Sequence, residues 1–547
     1  MKLGWRKLTD MKRCKEIFDK CWNFFIKHSD LIGYVLLAAF FVYMHLEIYQ
    51  RLDISMESDM CSELVLAKLL ASEKRFITTN WYYSTEIRML NTNVIFMPLF
   101  LISDNWHFVR MTGMMILDLI LLSGYFYLAK QINLKHIPWF GFLVIGAISK
   151  DYYKVVLLDS CYVPHIAISF FSLGLIISIF KEESRRKRII KSVILALLSF
   201  AAGLEGMRLV AIMYLPIVVT AFVFCFLKEL DQLKEGKFDF KDKSFSFVPI
   251  SMLTLFFSFL GALINAKALR PLGYSFQSGG TEIYYQDFSF TRLQEVINGW
   301  LYALGYQSDG LYAFIPIQII IKPLFIVFFI IFLWSFIDML NKKYDDEEHF
   351  LSLFFVVAAL ILSALFVFTD TWYRNRYLLP VSVFSTFIIG IFLSRFRIAW
   401  QKWMMIFTVV AFMMVNTRFQ IRYRANTNPY AVMVKVKDVL LDNECYNGYA
   451  IDHWNGHNIL TELSDGKIET WRFRDDGTID RIAPWLQSKL HNTQKPQGKT
   501  YLLVLKQELE DELIHFNQDV TKYKYYEDDD RILYIFNSYE QVKEITE

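Results

Sequence analysis

Ten apolar runs, each long enough to cross a lipid bilayer, constrain this chain more than any other feature. They lie at about 31–48, 107–129, 163–180, 190–207, 208–227, 247–267, 319–339, 350–369, 377–394 and 402–419. A helix needs roughly 20 apolar residues to cross the hydrocarbon core, so the pattern defines a polytopic α-helical membrane protein. Composition agrees: 54% of the 547 residues are hydrophobic and only 21% charged, which is rare in a soluble chain of this length. A net charge of +3 carries no basic excess of the kind that marks a nucleic-acid partner, and none is expected.

The N-terminal MKLGWRKLTDMKRCKEIFDK is too long and too charged for a signal peptide. Residues 1–30 read as a cytoplasmic interfacial helix leading into the first span. Two shorter runs, 93–103 and 138–150, leave one crossing undecided. The charged loops at 181–191, 228–243, 341–349 and 394–402 read as cytoplasmic, and parity then requires that one of the two short runs crosses. About eleven spans are expected within a membrane domain over 31–424, with external loops at 49–90 and 268–318. The tail, 425–547, turns polar. Its runs KTYLLVLK (499–506) and RILYIFN (531–537) alternate as strands do, and QELEDELIHF between them reads as helix. A small extracytoplasmic α/β domain is expected there. The six cysteines have neither zinc nor disulfide spacing; Cys61 and Cys161 are expected as free thiols.

The stretch ISMESDMCSELVLAKLL (54–70) sets Glu57, Asp59 and Glu63 beside an apolar helical pattern. Met60 to Leu70 reads as a helix along the interface, with Ser58 or Asp59 placed to cap it. The next segment, WYYSTEIR (81–88), puts Trp81, Tyr82 and Tyr83 before Glu86 and Arg88. Such rings serve equally as membrane-belt residues and as platforms for sugar rings, and Glu86 can pair with Arg88. An acid near lipid is costly unless something pairs or uses it. Basic candidates on the outer side are Arg208, Lys267, Arg270, Lys322, Arg374 and Arg376. Lys267 and Arg270 read as residues snorkelling from span ends. Arg374 and Arg376, between Tyr373 and Tyr377, read as phosphate binders. Arg208 serves phosphate or pairs with Glu205. Asp118, mid-span, reads as a helix-packing contact. His165 opens a span as a capped interfacial histidine or a sugar or phosphate contact. In the tail, Asp452, His453, Asn455 and His457 read as an acceptor- or sugar-binding loop sooner than a metal site.

A first span, an external loop with Asp59, an interfacial helix and then WYYSTEIR resemble the opening of the GT-C glycosyltransferases. That superfold includes protein O-mannosyltransferases, oligosaccharyltransferases and the aminoarabinose transferase acting on lipid A. GLEGMR (203–208), RNRYLLP (374–380), a soluble domain after the last span and the tail run YNGYAIDHWNGHNILTELSDGK (446–467) are similar to pieces of the same enzymes. The resemblance implies inverting transfer of a sugar from a polyprenyl-phosphate donor to a cell-envelope glycan, lipid or protein at the outer face. In such enzymes a first-loop acid acts as general base or helps hold a metal, so a divalent metal ion stays open and no other cofactor is implied. Asp59 matches the base by position, while Glu57 departs from a single-acid pattern. The catalytic candidates are therefore Asp59, Glu57 and Glu86. Lipid-phosphate candidates are Arg374, Arg376, Arg208 and Lys322, and substrate candidates are Arg88, Trp81, Tyr82 and His165. No glycine-rich phosphate loop is present, which fits a lipid-linked donor. A transporter or flippase, a polymerase of lipid-linked surface polysaccharide and a non-catalytic scaffold of the same fold are the competing readings. The lack of an internal repeat and the clustering of polar residues at the outer face favour surface chemistry.

Overall fold

The computed structural model describes residues 2–85, 87–234, 243–276, 284–306, 315–341, 344–454, 456–473 and 482–546. Glu86, Asn455 and parts of the 268–318 loop lie outside them. The N-terminal segment and the first span form one helix, Lys2–Tyr49, so the expected interfacial helix is not a separate element. Nine helices among the described residues are long and apolar enough to cross a membrane, from Lys15–Tyr49 to Ala399–Thr427. Two further segments run between the same two faces and bring the passes to eleven. One is the helix Arg185–Gly203, whose basic start disguises it. It packs backbone to backbone on the helix Phe247–Ala268. A Cβ on Gly203 would sit 1.9 Å from the Ser258 carbonyl oxygen, and one on Gly261 2.3 Å from that of Phe200. Only small residues permit this approach.

The other pass comes from the second short run. It is broken into Ile137–Phe140 and Phe142–Ile145, and residues 138–149 are buried throughout. Trp139 Nε1 donates to the Ser29 carbonyl at 3.0 Å, near the start of the first pass. At its other end Ala147 N donates to Thr417 Oγ1 at 2.8 Å, and Asn416 Nδ2 donates to the Ala147 and Ile148 carbonyls at 2.7 and 2.9 Å. Irregular backbone survives at membrane depth where protein encloses and satisfies it. The first short run instead stops as the eight-residue helix Asn93–Phe100 with Pro98 inside. At 1.5 Å per residue that covers about 12 Å, well short of a crossing.

On the face opposite the C-terminal tail, the helix Asp346–Phe368 opens with three acids, each paired with a different pass. Asp346 meets Lys228, Glu347 meets Lys181 at 3.4 Å, and Glu348 meets Arg395. Inside the bundle His45 Nε2 lies 3.2 Å from Asp118 Oδ2, which makes Asp118 the interhelical contact its depth suggests.

The tail folds as a five-stranded mixed sheet. Its spatial order is Glu469–Arg472, Asn447–Ala450, Thr500–Leu505, Arg531–Phe536 and Lys524–Glu527. The first three strands are parallel and the last two antiparallel. Both strands read from the sequence are present. The helix expected at 507–516 is shorter, Lys506–Glu510, because Glu512 turns left-handed at φ 57°. Cys61 and Cys161 are free thiols, as are Cys21 and Cys445.

Candidate functional site

The loop after the first pass is clamped between the bundle and the tail. Its helix, Ser58–Glu73, packs on Asn93–Phe100 below and on His457–Leu463 of the tail above. Nine of its residues, from Ser58 to Ala71, are buried. It therefore lies sandwiched between two layers of protein and not along a lipid interface. The clamp is a buried ion pair: Arg110, on the pass Trp106–Gln131, donates to both carboxylate oxygens of Glu462 at 2.8 and 2.6 Å. Arg110 Nη2 also donates to the Met60 carbonyl at 2.9 Å, fixing the first turn that carries Asp59. A small three-stranded sheet completes the seam. Trp81–Tyr83 pairs in parallel with Ser275–Phe276 and antiparallel with Gln487–Ser488 of the tail.

That strand accounts for the aromatic candidates. Trp81 is 1% exposed, so its ring packs the seam and is closed to a sugar. Tyr82 is half-buried; its hydroxyl accepts from Asn492 Nδ2 at 2.9 Å and its ring lies under Lys489. Glu86 falls outside the described residues.

Glu57 and Asp59 part company at the helix start. Glu57 is the N-cap residue, extended at φ −146° and ψ 164°, and neither Ser58 nor Asp59 caps. The Glu57 carboxylate meets Lys154 Nζ at 2.7 Å and Arg424 Nη2 at 3.3 Å, and is 4% exposed. Arg424 Nε also donates to the Ser55 carbonyl at 3.1 Å. Asp59, in the first turn, points to the tail instead: Oδ1 lies 3.2 Å from His453 Nε2, and the side chain keeps 35% of its surface open. Burial opposes ionisation of Asp59. The hydrogen bond and charge of His453, with Lys154 and Arg376, outweigh it and hold the carboxyl below its ordinary 3.8.

Lowered in the fold, Asp59 stabilises the docked tail at any pH above 3.8, and the contribution disappears as pH falls through the lowered value. Wild type is therefore expected to lose protease resistance at the tail seam more steeply than Asp59→Asn between about pH 5 and pH 2. Equal acid profiles for the two proteins would contradict the pairing.

Behind Asp59 lies a set of residues that the sequence reading passed over. Asp159 is 4% exposed with Oδ1 unpartnered among the described residues; burial, then the Glu57 charge, pushes its carboxyl well above the ordinary range. Lys154 is kept protonated by Glu57 and Asp159 against the opposing effect of its burial. Asp151, raised by burial, feels the opposing charges of Lys154, Arg376, Lys150 and Arg374. The signal was there: KDYYKVVLLDS sets charges at both ends of an apolar stretch, and such acids and bases near lipid are functional by default.

The basic candidates divide. Arg208 lies between the rings of Tyr162 and Tyr377, 5.8 and 5.7 Å from their centroids, and Arg376 lies 5.9 Å from Tyr377. Arg376 Nε is buried without a hydrogen-bond partner among the described residues, and Arg376 is close enough to act on Asp59. Arg374 is exposed and stacks 4.0 Å over Trp372. His165 is buried beside Tyr162, within electrostatic range of Arg208 and Arg88. Lys322 and Lys267 lie exposed on their helices, and among the described residues no contact ties Lys322 to the cluster. Cations crowd Asp59, so the donor set does not fit a divalent ion. Among the described residues no group of three or more His, Cys, Asp or Glu side chains is arranged to hold one.

Nine span-length helices and two further passes among the described residues, with the loop after the first pass clamped under a C-terminal α/β sheet, form a polytopic membrane fold of the GT-C type. The fold is similar to that of ArnT from Cupriavidus metallidurans. The apo form superposes with a TM-score of 0.53 at 12% identity, covering 92% of this chain and 98% of that one. The form bound to undecaprenyl phosphate gives 0.49, also at 12% identity, with the same coverage. No family model matches the sequence, and no curated protein does. Identity this low carries the fold; residue roles must come from this chain's own geometry.

Proposed function

We propose that this protein is an integral membrane glycosyltransferase. It moves a sugar from a polyprenyl-phosphate donor to a cell-envelope acceptor at the outer face. The observation that carries the reading is Asp59: ionised, partly open, and within electrostatic range of Arg376, which shares the Tyr377 ring with Arg208. Asp59 takes the proton from an acceptor O–H or N–H as that atom attacks the anomeric carbon from the side opposite the leaving group. The anomeric C–O bond to the lipid phosphate breaks, and the phosphate departs with the electron pair. Arg376 and Arg208 stabilise its new charge. One base suffices for such an inverting step. Glu57 serves differently: with Lys154 and Arg424 it forms the ionic floor under the helix that carries Asp59.

The orientation belongs to the same proposal. Arg185, Arg186, Lys187, Arg188 and Lys191 gather at the start of one helix on the face away from the site, and a basic excess marks the cytoplasmic side. The N-terminus is then cytoplasmic, and residues 425–547 form a soluble unit outside.

Loss of a charge-assisted contact costs about 1.5–3 kcal/mol, so Arg376→Ala is expected to weaken binding of a short polyprenyl phosphate by about 10- to 100-fold. Arg376→Lys should fall between the two, because the ammonium lacks the guanidinium fork. Binding to the purified protein, measured by microscale thermophoresis, decides it; unchanged affinity in Arg376→Ala would remove Arg376 from the phosphate site.

A further inference from the structure

The histidine that meets Asp59 does not belong to the membrane bundle. His453 sits on the loop that follows the strand Asn447–Ala450, and that loop is pinned. Asp452 N donates to Glu508 Oε1 at 3.2 Å, and Trp454 N donates to Asp452 Oδ1 at 3.1 Å. Glu508 in turn accepts from Leu505 N at 2.7 Å through its other oxygen, at the end of the central strand Thr500–Leu505. The ring of His453 is buried at 4% exposure, with the rings of Trp454 and His457 at 5.2 and 5.5 Å. Its Nδ1 has no hydrogen-bond partner among the described residues, which leaves Nε2 as the nitrogen engaged with Asp59. A buried, loop-anchored imidazole has little freedom to follow a moving carboxylate. A hydrogen bond held at Oδ1 restricts rotation of the carboxylate.

We propose that His453 is a positioning residue for Asp59. Its Nε2–H holds Oδ1 and leaves Oδ2 open for the acceptor's proton, so the reacting geometry exists only while the soluble domain is docked. The inference rests on the reading of Asp59 as the base. A carboxylate left to rotate spends most of its time out of line, and misplacement of about 1 Å costs on the order of 10²-fold in rate. His453→Ala should therefore lower kcat about 10²-fold and leave KM for the lipid donor unchanged. His453→Gln, whose amide nitrogen reaches as far as Nε2, should restore most of the loss.

Two measurements separate the possibilities. The first is kcat and KM for wild type, His453→Ala and His453→Gln, with limited proteolysis to show that the tail stays docked. The expected result is the kcat-only loss and its rescue by Gln. A His453→Ala enzyme with wild-type kcat overturns the proposal. So does an equal loss in both variants accompanied by undocking, which marks a purely structural residue. The second is independent of transfer: infrared difference spectra against Asp59→Asn isolate the Asp59 carboxylate bands. These bands should shift in His453→Ala and stay in place in His453→Gln; bands unmoved by His453→Ala contradict the positioning role. If wild type transfers no sugar, the base assignment fails by itself, and the infrared result still decides whether His453 holds Asp59.

Discussion

Asp59→Asn is expected to reduce sugar transfer by about 10²- to 10⁴-fold, the usual contribution of a positioned general base, while the protein stays folded. The amide is the same size and keeps an oxygen that can accept from His453 Nε2, so the seam survives. What disappears is the proton acceptor. Glu57→Gln makes the informative contrast, since the two acids are separated by a single residue and do different work. Glu57 is 4% exposed and joins Lys154 to Arg424. Removing its charge leaves two partly buried cations facing each other, at a cost of about 1–3 kcal/mol. Its effect should appear as a lower unfolding temperature in detergent, with the surviving folded protein retaining turnover. Reversal of the two phenotypes, with Glu57→Gln folded but inactive and Asp59→Asn active, would transfer the base role to Glu57.

The second large effect concerns the clamp. Arg110 and Glu462 are 0% and 1% exposed, and breaking a fully buried pair from one side typically costs about 3–5 kcal/mol because the remaining charge is stranded. Arg110→Ala also releases the Met60 carbonyl, and with it the first turn of the helix that carries Asp59. Either Arg110→Ala or Glu462→Ala is expected to expose the tail to protease and to lower the unfolding temperature sharply. Replacing both together with apolar residues, Arg110→Met with Glu462→Leu, should recover much of the stability, since well-packed apolar substitutes often match a buried ion pair. A double variant as unstable as the singles would mean that the hydrogen-bond geometry matters more than the stranded charge.

Much of the architecture was legible in the sequence because span-length apolar runs have few alternatives. The two short runs show where such reading stops. NVIFMPLFLIS has the higher apolar density and fails to cross, whereas PWFGFLVIGAISK crosses as a broken, protein-enclosed segment. What decides between them is the Asn416 and Thr417 side chains more than 260 residues away, which no local window contains. Asp59 stood out as an acid at a helix start outside the membrane. His453 also stood out, but as part of an acceptor- or sugar-binding loop; its pairing with Asp59 did not, because it arrives from a loop 394 residues on. Trp81 looked like a sugar platform because nothing local reveals that its strand lies between segments 275–276 and 487–488. Arg424 was hidden by the length of the last pass, which continues to Thr427, past the end of the apolar run at 419.

The central claim is that a sugar leaves a lipid phosphate at this site. The most direct measurement is incubation of the purified wild-type protein with a panel of polyprenyl-phosphate sugars, sampling for free polyprenyl phosphate and for the anomeric configuration of the product. The account predicts release of the lipid phosphate and a product of inverted configuration, both lost in Asp59→Asn. Recovery of every lipid-linked sugar intact, with none bound, would contradict it.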